Sequence, residues 1–161
     1  MKPEHTSANI QSWAEVGEFV EWLPDPVWTE WKALARRFLL YGADRNFNQH
    51  FRASTSMRIL VFSTLDHGGA SYEPVVKVCL LPPETVKLRY FPATPAAQGD
   101  TRLEYELDFD EGMSTFQRFL NHLWEMTMPE PLPADMRSPA CPFSAPVLAP
   151  SEAKITREWR S

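Results

Sequence analysis

The first third of the chain repeats its apolar residues every three to four positions, and the middle repeats them every second one. In "NIQSWAEVGEFVEWL", Ile10, Trp13, Val16 or Gly17, Val20 and Leu23 recur at helical spacing and predict one buried stripe. The clearer helix is "DPVWTEWKALARRFLLYG". Asp25 is placed to accept its first backbone N–H groups, and Pro26 to fill the first helical position, where a missing donor costs nothing. Val27, Trp31, Leu34, Phe38 and Tyr41 make its stripe, widened by Trp28, Ala35 and Leu39. Gly42 is expected to end it by allowing a left-handed turn.

After a loop, "GADRNFNQHFRAST", the period falls to two. Four strands are predicted, at about 57–65, 72–81, 86–91 and 102–109. In the third, Val86, Leu88 and Tyr90 alternate with Lys87 and Arg89; in the fourth, Leu103, Tyr105 and Leu107 alternate with Glu104 and Glu106. Setting Leu88 against Tyr105 also sets Lys87 against Glu106 and Arg89 against Glu104. A slip of one residue would place charge in the core, so this register enforces itself. For the first two strands the analogous pairing sets Val61 against Val76 and Ile59 against Val78. The chain then reverses across Asp66 to Ser71, with Gly68 and Gly69 supplying the positive backbone angles of a hairpin loop.

A last helix is read from Met113, Phe116, Leu120 and Leu123, with Phe119 and Trp124 beside them and Ser114 and Gln117 as a capping box. Seven prolines between residues 129 and 150 then forbid regular helix or central strand. The expected fold class is α+β: a two-layer sandwich of two N-terminal helices, a four-stranded antiparallel meander, a C-terminal helix and an extended Pro-rich tail. Residues 1–128 are expected to form one domain and 129–161 the tail, with a short terminal segment anchored by Trp159.

Size and composition leave this picture standing. With 161 residues, 43% hydrophobic and 23% charged, the chain can bury a core without metal or disulfide help. No apolar leader or membrane-length run is visible, so a soluble cytoplasmic protein without membrane contact is expected. Cys79 lies in a strand and Cys141 in the tail, a poor pairing for a disulfide. The net charge of −5 conceals a basic stretch from Lys32 to Arg58 that follows an acidic one.

Catalytic chemistry finds no support. The four histidines, His5, His50, His67 and His122, lack zinc-ligand spacing. There is no nucleophile elbow, dinucleotide fingerprint or phosphate loop, so no catalytic residue, metal or other cofactor is expected. "DHGG" at Asp66 to Gly69 reads as a turn; a dispersed site of Asp66, His67 and His50 is the enzymatic alternative.

Two surfaces remain. In the pairing above, Leu60, Phe62, Val75 and Cys79 point away from the core and form, with Trp159, the expected protein interface. Lys32, Arg36, Arg37 and Arg45, with Phe47, Phe51 and Arg52, form a basic and aromatic segment that suits nucleic acid or another anion. The leading expectation is a non-catalytic protein-binding protein (inhibitor, immunity factor, adaptor or chaperone-like) whose partner is another protein or a second copy of itself. A nucleic-acid-binding accessory role for residues 32–58 is the alternative.

Overall fold

A computed structural model describes residues 3–64, 75–91, 103–136 and 154–155. Helices α1 (Pro3–Trp22), α2 (Thr29–Asp44) and the single turn α3 (Phe47–His50) lead into strands β1 (Arg52–Ser56), β2 (Ile59–Ser63), β3 (Val75–Leu81), β4 (Thr85–Phe91) and β5 (Leu103–Asp108). Helix α4 (Phe109–Thr127) follows, then a 3-10 turn at Ala134–Met136. The fold is α+β. Its sheet is an antiparallel meander of five strands in chain order, and the two-residue segment β6 (Lys154–Ile155) pairs with β5 at one edge.

The β4–β5 register is the one that charge alternation demands, with Leu88 opposite Tyr105, Lys87 opposite Glu106 and Arg89 opposite Glu104. The β2–β3 register differs by one residue from the expected pairing. Phe62 lies opposite Val76 and Leu60 opposite Val78, while Val61 faces Lys77. One residue of slip reverses both faces. Leu60 and Phe62 therefore point into the core, where they are fully buried, and Val61 turns to the other side.

The cause lies in a strand that periodicity did not show. β1 pairs with β2 from Arg52–Ser63 to Ser56–Ile59, closing a two-residue turn at Met57 and Arg58. Both turn residues have positive φ, 50° and 67°, the geometry of the tight hairpin turn usually built with Asn-Gly. "RASTS" is small and polar and carries no apolar alternation, so only the pairing partner makes it a strand.

Helix α1 buries Trp13, Val16 and Val20 and leaves Ile10 exposed, and Leu23, just past its end, is buried as well. The entry to α2 differs from expectation. The chain turns through Pro24–Thr29, with Trp28 N–H donating to the Pro24 carbonyl (3.1 Å), and the helix begins at Thr29 rather than Pro26. The Asp25 carboxylate accepts from the Thr29 hydroxyl (2.8 Å) and the Lys32 ammonium (3.4 Å), not from early backbone groups. Val27 stands out in solvent while Trp31, Leu34, Ala35 and Phe38 line the core. Gly42 does not end α2. It is buried within the helix, and a Cβ there would come within 2.6 Å of the Trp13 ring, so glycine serves close helix contact.

Helix α4 begins four residues before the expected start, capped by Asp108, whose carboxylate accepts from Glu111 N–H (2.9 Å). Asp110 and Glu111 complement the positive end of the helix dipole. Ser114 is therefore an interior residue, not a cap. Phe116 meets the rings of Phe62 (5.0 Å) and Phe38 (4.7 Å), and Phe119 stacks on Tyr90 (5.0 Å), which seats α4 on the sheet's core face. Gly112 packs so closely on Val86 that no side chain fits.

The first residues beyond α4 are tied to the body. Trp124 donates to the Glu130 carbonyl (3.0 Å), Gln117 donates to the Met136 carbonyl (3.0 Å), and Met136 is fully buried.

Candidate interaction surface

The side chains expected at the protein interface divide three ways. Leu60 and Phe62 belong to the core: Phe62 sits among Trp13 (5.2 Å), Phe38 (5.9 Å) and Phe116. Val75 and Cys79 lie on the opposite side of the sheet. Val75 is nevertheless buried by the chain itself, as are Val61, Ser63 and Glu104 on that side, and Cys79 is a half-buried free thiol. Trp159 lies outside the described residues. The outer side of β2 and β3 is therefore not the open apolar patch that the shifted register implied.

The basic segment is largely neutralised within the fold. Lys32 is buried; its ammonium donates to the Leu23 carbonyl (3.0 Å) and reaches the Glu21 carbonyl (3.5 Å), closing the negative end of α1. Arg36 binds both Glu21 oxygens (2.6 and 2.7 Å). That pairing holds the Glu21 carboxyl below, and the Arg36 guanidinium above, their ordinary values. Arg37 lies over the Phe109 ring (4.1 Å) and beside Glu84 (3.6 Å), and Arg45 over Tyr41 (3.6 Å). Arg52 is half-buried on β1. Phe47 and Phe51, the rings a single-stranded nucleic acid would need, are fully buried in the core.

Among the described residues titratable groups also meet in three further places, each with a packing role. His50 Nε2 contacts the Asp135 carboxylate (3.1 Å), which also accepts from Asn46 Nδ2 (3.2 Å), and the His50 ring stands edge-on to Trp124. This pins the post-α4 segment to α3. Tyr90 shares a hydrogen bond with His122 Nδ1 (2.6 Å), and burial raises its phenol well above the ordinary value, with Glu125 adding to the shift. On the outer side of the sheet Arg89 and Glu104 form a buried pair (2.8 Å), while burial and then Arg89 lower the Lys77 pKa. Among the described residues no three His, Cys, Asp or Glu side chains gather as metal ligands. Asp66 and His67, and the turn they were assigned to, lie outside the described residues.

What stands open is a corner that the register argument did not single out. Trp22, the last residue of α1, is 77% exposed and stacks on Phe19 (6.4 Å). Val27, in the turn to α2, is also 77% exposed, and Met57, at the hairpin tip, 88%. The tip is held against the corner by Arg58, whose guanidinium lies 4.5 Å from the centre of the half-buried Trp28 ring. Exposed Glu18 and Glu30 border the same elements. Each left-handed non-glycine residue costs about 1–3 kcal/mol, so the fold holds Met57 outward at an energetic cost. The sequence did contain one signal: Trp22 lies off the apolar stripe of α1, and a large ring there has no core to enter.

Compared with protein-family models, curated proteins and solved structures, the chain matches none of them. No described helix is long and apolar enough to cross a membrane.

Proposed function

We propose that this is a non-catalytic protein-binding protein of the cytoplasm, a two-layer α+β sandwich that associates with a second copy of itself through the α1–α2 corner and the β1–β2 turn. The observation that carries the reading is the joint exposure of Trp22, Val27 and Met57, with Met57 presented by a turn of two left-handed residues. Large side chains on one rigid corner are the usual anchors of an interface. The occupant is argued from charge. In a two-fold contact a patch meets itself, so its rim must carry both signs; Arg58, held over Trp28, supplies one, and exposed Glu18 on α1 and Glu30 on α2 supply the other.

Sedimentation velocity from micromolar to near-millimolar protein tests it, using the native chain and the triple variant Trp22→Ser, Val27→Ser, Met57→Ser. All three side chains are exposed, so the variant is expected to keep its fold by circular dichroism. Concentration-dependent dimerisation of the native chain, abolished in the variant, is expected. A native chain that stays monomeric throughout, or a variant that dimerises equally, overturns the proposal.

A further inference from the structure

The segment that follows α4 is held to the body by side chains rather than by a strand or helix ladder. Residues Met128 to Met136, "MPEPLPADM", carry prolines at 129, 131 and 133, which have no N–H to donate and a fixed φ. This strap offers mainly carbonyls, and the body supplies the donors. Trp124 Nε1 donates to the Glu130 carbonyl (3.0 Å) and Gln117 Nε2 to the Met136 carbonyl (3.0 Å). Asp135 meets His50 Nε2 (3.1 Å) and accepts from Asn46 Nδ2 (3.2 Å). Met136 is fully buried, and Leu132 packs against the core while half-buried. The seat thus runs from the Gln117–Trp124 face of α4 to α3.

That seat is imperfectly satisfied. Among the described residues, His50 Nδ1, Asn48 Oδ1 and Asn121 Oδ1 are buried without a hydrogen-bond partner. Asn48 and His50 lie on α3, and Asn121 lies one turn from both Gln117 and Trp124 on the same face of α4. Lifting the strap lets water reach these atoms, which offsets part of the cost of detaching it. Aromatic-lined surfaces recur as seats for proline-rich segments, because such segments are already restricted before they bind.

We infer that this seat is a docking site for a proline-spaced segment of a partner protein, ending in an acidic and then a large apolar residue, and that the chain's own strap fills it when the partner is absent. The strap is a tethered competitor at high effective concentration, so it yields only to a better-matched segment. It leaves α4 without a spacer, since Met128 N–H still donates to the Trp124 carbonyl (2.8 Å). A second copy's strap could reach the seat only with two α4 ends side by side, whereas a partner segment has no such tether. This inference does not depend on self-association through the corner.

Two indoles report on the strap. The Trp124 N–H is closed by the strap, and the Trp13 N–H donates to the Phe51 carbonyl (2.8 Å) just before β1. By NMR hydrogen exchange, Trp124 is expected to exchange at least about tenfold faster than Trp13, as a locally opening contact does. Asp135→Ala, at a side chain 40% exposed, should speed Trp124 exchange about tenfold, for the loss of a charge-assisted contact, and leave Trp13 unchanged. A fluorescein-labelled peptide MPEPLPADM, titrated by anisotropy, should bind the Asp135→Ala chain about tenfold more tightly than the native chain, because the tethered competitor is weakened. It should also slow Trp124 exchange again. The same peptide with alanine in place of its aspartate should lose that advantage. Equal exchange of the two indoles, both speeding together in Asp135→Ala, equal binding of the two peptides, or no peptide binding to that variant overturns the inference. So does concentration-dependent dimerisation of Asp135→Ala placed in the triple corner variant, which would make the occupant a second copy. Working in the corner variant also keeps the outcome separate from that of the dimer test.

Discussion

The β4–β5 and β2–β3 pairs lie in one sheet and are held in register by different forces. In β4–β5 each strand alternates apolar with charged residues, and the pairing matches core to core and Lys87 or Arg89 to Glu106 or Glu104. The strands carry their own register. In β2–β3 both sides are buried at Leu60, Val61, Phe62, Val75 and Val76, so alternation cannot choose between neighbouring registers. There the choice is made at a distance. The Met57–Arg58 turn fixes β2 against β1, and the Trp13, Phe38 and Phe116 rings hold Phe62 on the core side. A strand that alternates apolar with charged residues is specified locally; a strand apolar on both faces is specified by what surrounds it.

The largest expected effect breaks this comparison at its distant anchor. Phe62→Ala should cost about 3–5 kcal/mol in urea denaturation, the range for deleting a core aromatic. Ile59→Ala, half-buried on the other side, should cost about 1 kcal/mol. Reversed magnitudes would mean that β2 faces the other way.

Next comes the ionic register of β4–β5. Arg89→Ala should cost about 3 kcal/mol, because it strands Glu104, whose side chain is only 2% exposed, without its cation. Glu106→Ala, on the same row but exposed, should stay within about 0.5 kcal/mol. Equal losses at the two sites would show that burial does not distinguish these charges.

Between α4 and the sheet, Gly112→Ala should cost about 1–3 kcal/mol by overpacking, since its methyl would enter the space of Val86. Val86→Ala in the same chain should then recover part of the loss. Additive losses would contradict the close contact.

The smallest effect is a titration. The hydrogen bond and charge of Arg36 hold the Glu21 carboxyl below its ordinary value. A depressed carboxylate contributes stability that is present above its unfolded pKa, fades as pH falls through the carboxylate range, and is gone below the folded pKa. By NMR, Glu21 should titrate below the ordinary glutamate range in the native chain and move back up towards it in Arg36→Ala. A Glu21 titration unmoved by that substitution would remove the pairing.

The same contrast explains what was legible in the sequence. The stripes of α1, α2 and α4, and the whole β4–β5 register, follow from period and charge alone. β1 was not legible, because "RASTS" has no apolar pattern and the turn after it uses Met57 and Arg58 where Asn and Gly are usual. Without β1 nothing anchors β2, and alternation alone turns Leu60 and Phe62 outward. The open corner was half legible. Trp22 stands off its helix stripe, but spacing puts Val27 in the stripe of an α2 that starts at Pro26, and the helix begins three residues later. The basic segment was legible as charge but its ion pairs were not, because Glu21 lies on another helix and Glu84 beyond β3.

The central functional claim concerns what Trp22 meets in solution. Incorporation of 5-fluorotryptophan gives each indole its own fluorine resonance, and loss of one signal in Trp22→Phe assigns it. On raising the protein concentration, the Trp22 resonance is predicted to move while those of the buried Trp13 and Trp124 stay fixed. A Trp22 resonance that remains at its dilute, solvent-exposed position up to the highest concentration would contradict the account.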